Sequence, residues 1–303
     1  MTAEQIYRQL INLGRQRNRP GEEMITLYGL ERVLNRLTLT RFADDFSLKG
    51  GVLLAAFSMR RPTRDIDMQA LEFTLDATHM GEVIRAIARV QTDDGLTFAL
   101  DEVRMEEIRD EEEYSGLRVH VPALLHIARV PIKLDVSTGD PIWPEPQTVT
   151  LPGLLGQNVH IKGSTLETVI AEKSVTIVQR GATSTRWRDY MDIRNIARKY
   201  PFNAGELRAA MEATAAFRGV QLEPIKGLLQ GYDTVAAGKW AAWRHKNRLE
   251  DECLSTLEEQ LADVSAFAGP ILAGTVAESY RWDPTAFLWQ DNQQPSTVGD
   301  AAP

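Results

Sequence analysis

The chain has a single cysteine, Cys253, in 303 residues. One thiol excludes an internal disulfide framework and any cysteine-rich zinc site, and it is the usage expected in a reducing compartment. Cys253 itself reads as a small buried hydrophobe. Long apolar runs are also absent: none approaches the roughly 20 residues that span a bilayer, so no membrane partner is expected. The stretch from Met1 to Asn18 is polar and amphipathic, unlike a secretory signal, which makes the cytoplasm the expected location. Positive charge is outnumbered, with 34 Lys and Arg against 42 Asp and Glu. A net charge of −8 argues against a protein that coats nucleic acid indiscriminately, because phosphate binding needs a positive surface. The five histidines, His79, His120, His126, His160 and His245, show no ligand spacing and carry no assigned chemistry. No internal repeat is evident.

With 43% hydrophobic residues, the chain can form one large or two ordinary globular domains. Its charge is uneven. Eight acids fall between residues 101 and 113 (Asp101, Glu102, Glu106, Glu107, Asp110, Glu111, Glu112, Glu113), as on a solvated hairpin edge. From 161 to 200 the balance reverses to basic, which allows a local basic face. Helical spacing predicts amphipathic helices over 4–18 and 22–38, then a strand at 46–49, a glycine turn, a short helix at 52–57 and a strand at 65–70. A helix near 76–91 precedes alternating runs at 96–108 and 117–121 and a buried strand at 130–136. The reading is an α/β sheet domain over 1–160. Gly139, Pro141, Pro144 and Pro146 mark a turn-rich connection, and helical periodicity dominates 161–289. Ser164 with Glu167 has capping-box spacing at the start of a helix, and further helices are expected over 186–199, 203–217 and 230–268. The polar stretch 290–303 reads as a flexible tail.

Three motifs point to chemistry. Lys49-Gly50-Gly51 is followed by Asp65-Ile66-Asp67, and in a strand residues i and i+2 share a face, so the two aspartates form a carboxylate pair with Ile66 packed behind them. Asp135 lies within the apolar run Ile132-Lys133-Leu134-Asp135-Val136, where a neighbouring strand can bring it alongside. Three carboxylates near a core require cations or a basic partner, and they can hold two Mg2+ ions, with Mn2+ as a substitute. In such a site Asp65 and Asp67 bind the ion that carries the triphosphate of an NTP, and Asp135 is a second ligand or a general base. Gly50 and Gly51 offer backbone N–H groups to phosphate, with Lys49 or Lys133 as a point charge. Lys133 at a solvated sheet edge is the alternative, and Arg64 fits either role. Lys173 falls on the apolar stripe with Leu166, Ile170 and Ile177, either snorkelling at an edge or aimed at an anion or carboxylate. Trp187 and Tyr190 read as core. Asp192 reads as the i+4 partner of Arg188.

These motifs, with Ala171-Glu172-Lys173-Ser174 and Arg186-Trp187-Arg188-Asp189-Tyr190-Met191-Asp192-Ile193, span residues 48–193. Together they resemble AbiEii-type nucleotidyltransferase toxins, including the MenT-like branch, within the DNA polymerase β-like superfamily. The resemblance implies a mixed-sheet nucleotidyltransferase domain followed by a helical C-terminal domain that contributes active-site residues. It implies a toxin of a toxin–antitoxin or phage-defence system that transfers NMP from an NTP, with release of pyrophosphate. In the MenT-like branch the acceptor is the tRNA 3′ end, whose extension blocks aminoacylation. The resemblance assigns the metal ligands to Asp65 and Asp67, the third carboxylate to Asp135, and later active-site positions to Lys173 and Asp189. It also makes Thr63 a candidate regulatory phosphosite, where a phosphate would add about two negative charges beside the carboxylates. Expected partners are an RNA acceptor and a cognate antitoxin. Gly51 departs from the family's frequent serine, so a hydroxyl contact to phosphate is missing at that position. Alternative readings are NMP transfer to a protein or small-molecule hydroxyl, and a catalytically silent binding module.

Overall fold

The computed structural model describes residues 1–109 and 115–291. Asp110, Glu111, Glu112 and Glu113 of the acidic run, and all of the expected tail beyond Asp291, lie outside the described residues. The chain divides into two compact units, the first formed by Met1–Gly139 and Pro146–Ser164, the second by Asp140–Glu145 and the chain from Thr165 onward.

In chain order the first unit contains α1 (Ala3–Gln16), α2 (Gly21–Leu37), β1 (Phe46–Lys49), α3 (Gly50–Leu53), β2 (Ile66–Ala70), α4 (Ala77–Arg89), β3 (Leu96–Phe98), β4 (Arg104–Arg109), β5 (Ser115–Leu125), β6 (Ala128–Ser137), β7 (Gln147–Leu151) and β8 (Val159–Gly163). The strands form one mixed sheet in the order β3-β5-β6-β2-β1-β8-β7, with β4 also pairing β5. β2 runs parallel to β6 and β1 parallel to β8, while the remaining pairs are antiparallel. The run from 96 to 108 is thus two strands joined through a short 3-10 turn.

Alternation fixes which way the central strands face. Ile66 and Met68 of β2 and Val130, Ile132, Leu134 and Val136 of β6 are all buried. Each such side chain contributes about 1.5–3 kcal/mol relative to exposure. A one-residue slip would send this whole set to the opposite face, so the apolar pattern locks the register that places Asp67, Lys133 and Asp135.

α2 departs from the amphipathic expectation. Glu31, Arg32 and Arg36 are buried in it together with its apolar side chains. Each charge is paired. Glu31 accepts from Arg60 at 2.5 Å and from the Leu154 backbone N–H at 3.0 Å, and Arg60 also donates to the Pro152 carbonyl. Arg32 donates to the Gln157 side chain at 2.5 Å and to its backbone carbonyl at 3.2 Å. Arg36 holds both carboxylate oxygens of Asp94, at 2.7 and 2.6 Å. α2 therefore anchors three loops by charge.

The second unit contains α5 (Leu166–Arg180), α6 (Trp187–Ala197), β9 (Phe202–Asn203), α7 (Ala204–Phe217), α8 (Ile225–Leu228), α9 (Tyr232–Asn247), α10 (Leu257–Leu272), β10 (Tyr280–Asp283) and β11 (Leu288–Asp291). β9, β10 and β11 form a three-stranded sheet that helical periodicity did not anticipate, and it takes in Gln290 and Asp291 of the expected tail. Its side chains join an aromatic cluster of Phe202, Phe267, Trp282 and Trp289. The cap of α5 is Thr165 rather than Ser164: the Thr165 hydroxyl accepts from the Thr168 N–H, whereas Ser164 donates its N–H to the Leu48 carbonyl in the first unit. Among the described residues no helix is long and apolar enough to cross a membrane.

The Arg36–Asp94 pair gives a stability prediction. Asp94→Ala leaves a buried guanidinium without its carboxylate and is expected to cost about 3–5 kcal/mol in urea denaturation, whereas the Arg36→Met/Asp94→Leu double variant costs less. A single-variant loss below about 1 kcal/mol would count against a tightly coupled buried pair.

Candidate active site

β1, β2, β6 and β5 lie side by side, and their register brings four charged residues into one row across the sheet. Lys49 faces Asp67, Asp67 faces Asp135, and Asp135 faces Arg118. Directly opposed residues on neighbouring strands share a face, so the row runs from a cation through two carboxylates to a second cation. Asp65 stands just before β2, and Lys133 of β6 lies between the acids, its ammonium 2.9 Å from Asp65 and 3.6 Å from Asp135. Arg118 takes Asp135 in a two-pronged bond, Nε to Oδ1 and Nη2 to Oδ2, both at 2.8 Å. Lys49 is buried and its ammonium lies 3.3 Å from the Gln69 side-chain oxygen.

The glycine turn is shaped by these acids. Gly50 has φ +63°, and a Cβ on it would lie 1.9 Å from the Asp67 Oδ2 atom, so both conformation and space demand glycine. A Cβ at Gly51 would lie 2.9 Å from the Thr63 hydroxyl and 3.0 Å from an Arg61 guanidinium nitrogen. The space left by the missing serine side chain is thus bordered by a different hydroxyl and a cation. Thr63 is buried, with its hydroxyl 3.3 Å from the Asp65 carboxylate. Arg64 is exposed.

Crowding of like charge has a titration signature. Burial, then the Asp65 and Asp135 carboxylates, push the half-buried Asp67 carboxyl up to about 6, against the pull of Arg61 and Lys49. At the other end of the row, the bonds to Asp135 hold the Arg118 guanidinium above its already high value. Among the described residues no three His, Cys, Asp or Glu side chains are gathered closely enough to hold a metal ion. Of the expected three carboxylates, Asp67 and Asp135 stand in the row with Asp65 just before β2, and Asp135 is engaged by Arg118 and Lys133. The hard oxygen donors of Asp65 and Asp67 suit a divalent cation, which would offset the burial and the two neighbouring carboxylates that disfavour the charge of Asp67.

The second unit has its own cluster. α5 carries Lys173 and α6 carries Asp189 and Asp192 one turn apart. The Lys173 ammonium is 2.6 Å from Asp189 and 2.8 Å from Asp192, and Arg186 holds the other oxygen of Asp189 at 2.6 Å. Lys173 is therefore aimed at carboxylates, one of the two readings its sequence position allowed. Asp192, read from sequence as a partner of Arg188, has Lys173 as an ion-pair partner. Burial works to raise the Asp189 carboxyl, but Lys173 and Arg186 overcome it and hold the group at about 2. Trp187 and Tyr190 are buried, as expected, with the Trp187 indole donating to the Tyr232 hydroxyl at 2.8 Å.

Sequence reasoning overlooked Arg118 and Arg61. The signal for Arg118 was present: a tight turn at His126 and Ile127 between two apolar-alternating runs fixes the β5–β6 register, which sets Arg118 opposite Asp135. Arg61 is placed by loop conformation, which carries no periodic signal.

A mixed sheet with paired aspartates after a Gly-Gly turn and a third on the adjacent parallel strand defines a nucleotidyltransferase-like protein. The family described as "Nucleotidyl transferase AbiEii toxin, Type IV TA system" matches residues 32–281, and the chain belongs to that family. Membership makes it a toxin-family protein of a type IV toxin–antitoxin system and implies a cognate antitoxin. Two solved structures from Helicobacter pylori are similar. One, described as a candidate nucleotidyltransferase, has 17% identity and a TM-score of 0.48, covering 83% of this chain and 95% of its own. The other, JHP933, has 17% identity and a TM-score of 0.48, covering 82% and 90%. No curated protein matches the chain.

Two outcomes are expected. Because Asp67 is harder to ionise in the folded protein than in the unfolded chain, its charge lowers stability as pH rises from about 4 to about 6. Asp67→Asn should therefore raise the Tm measured in EDTA at pH 7.5, and the gain should vanish near pH 4; a pH-independent gain would contradict the crowded-carboxylate account. Asp189 behaves oppositely: its stabilising contribution is complete above about pH 4 and is lost as pH falls through about 2. Lys173→Met should cost about 3–5 kcal/mol at neutral pH by urea denaturation, with the deficit shrinking in acid.

Proposed function

We propose that the protein is a divalent-cation-dependent transferase that moves NMP from an NTP to the 3′ hydroxyl of an RNA, with tRNA as the acceptor, and thereby stops aminoacylation and translation. The observation that carries this reading is the register of Asp67 with Asp135 on parallel strands, with Asp65 one residue ahead of β2. In this reading the acceptor oxygen bonds to the α-phosphorus while the bond to the bridging oxygen breaks, and pyrophosphate leaves. Asp65 and Asp67 would hold Mg2+, which when bound would neutralise triphosphate charge and lower the pKa of a hydroxyl. Lys49 and Lys133 supply positive charge to the phosphates, and Arg64, exposed beside Asp65, is a further cation for the same chain of anions. Gly50 and Gly51 allow close approach of backbone N–H groups. Asp135 accepts the acceptor's proton or joins the cation shell.

The family supports nucleotidyl transfer and a toxin role. The acceptor is inferred from the resemblance together with the basic 161–200 segment. Overall charge favours a rival acceptor, a protein or small-molecule hydroxyl, because neither needs an extended basic groove.

Purified wild-type and Asp67→Ala proteins should be incubated with Mg2+, total tRNA and each labelled NTP in turn, and the RNA and protein resolved on a denaturing gel. Label in tRNA that depends on Asp67 is the expected result and names the nucleotide. Label on protein alone moves the assignment to protein modification, and no label with any NTP rejects the transferase reading for these acceptors.

A further inference from the structure

Arg118 lies outside every motif that defines the site, yet it makes the closest ordered contact with the third carboxylate. Its guanidinium meets both oxygens of Asp135 at 2.8 Å. That geometry uses the carboxylate as fully as a bidentate partner can. Lys133 adds a second positive group, 2.9 Å from Asp65 and 3.6 Å from Asp135. Asp65 and Asp135 are thereby supplied with counterions from the chain itself.

This arrangement sets up a competition. A divalent cation that draws on Asp135 needs the charge of the carboxylate that Arg118 already engages through one lone pair of each oxygen, and it is repelled by the guanidinium beside it. The guanidinium is about one-third exposed, and its Nη1 atom lies 3.9 Å from Glu106 of β4, a second carboxylate within reach of a rotated side chain. Release of Arg118 therefore exchanges one carboxylate partner for another instead of stranding a buried charge.

We infer that Arg118 is a positioning residue that holds Asp135 away from the cation site: the Arg118–Asp135 pair and divalent binding through Asp135 compete for one carboxylate. The inference rests on the proposed reading of Asp65 and Asp67 as cation ligands. Linkage makes the effect reciprocal, so whatever factor the cation takes from the ion pair, the ion pair takes from cation affinity.

Mn2+ binding to the nucleotide-free protein, followed by electron paramagnetic resonance of the free ion, tests this without reference to turnover. Arg118→Gln is expected to bind Mn2+ about tenfold more tightly than wild type, the scale set by losing one charge-assisted competitor. Arg118→Lys keeps the charge but loses the two-pronged hold, so it should show a smaller gain, and it carries the test should the glutamine variant fail to fold. Adding Asp135→Asn to Arg118→Gln should abolish the gain, a dependence that a merely structural arginine would not produce. Mn2+ affinity equal to or weaker than wild type in both Arg118 variants, with Asp67→Asn still weakening wild-type binding, overturns the inference. If Asp67→Asn leaves Mn2+ binding unchanged, the cation-ligand reading itself fails and the inference falls with it.

Discussion

Two aspartates face each other across neighbouring parallel strands, and the first unit is arranged around that unfavourable contact. Asp67 and Asp135 are cross-strand partners at the middle of the sheet. Like charges directly opposed on adjacent strands destabilise a sheet, and partial burial strengthens the repulsion. The surrounding residues answer it with Lys49 on one flank, Arg118 on the other, and Lys133 between Asp135 and Asp65. The apolar residues behind the row are what keep it in place. Relief by slippage would expose Ile66, Met68 and the alternate residues of β6, an exchange far more costly than the repulsion itself.

The same logic extends to the loops. The segment between the Gly-Gly turn and β2 carries Arg60, Arg61, Thr63 and Asp65, and its start is tied to buried Glu31 of α2 through Arg60. Desolvation raises the Glu31 carboxyl, and Arg60 with the Leu154 N–H opposes that rise. A buried acid so served is a fixed point, and it lets a short irregular segment present Thr63 and Arg61 at the hollow left by Gly51. Charge inside α2 thus organises charge at the carboxylate row.

How much of this is legible in sequence depends on whether a residue's position follows from periodicity. The Asp65/Asp67 pair, the shared face of Lys133 and Asp135, and the burial of Trp187 and Tyr190 all follow from alternation or helical spacing, and the structure places them so. Lys173 was legible as an anomaly, a lysine on an apolar stripe, though its partners Asp189 and Asp192 lay a full helix away. What escaped depended on long-range pairing. α2 looked amphipathic because its charged residues read as a solvent face, whereas partners 29 and 58 residues away bury them. β9, β10 and β11 escaped because three short strands brought together across some eighty residues leave too weak a local pattern.

Gly51 shows why a missing side chain is a poor guide to a missing function. From sequence, glycine in place of serine removes a hydroxyl. In three dimensions the vacated volume is bordered by the Thr63 hydroxyl, which would clash with a Cβ at residue 51 unless it moved, and by the Arg61 guanidinium, which would sit tight against one. The glycine and its neighbours therefore form one solution to a packing problem, in which the polar group comes from the loop instead of the turn. Arg61 also pulls the Asp67 carboxyl down against the neighbouring acids, so the loop contributes charge balance as well as shape. A serine at position 51 would have to displace a hydroxyl that is bonded to Asp65, which couples the identity of the turn residue to the orientation of a carboxylate fourteen residues later.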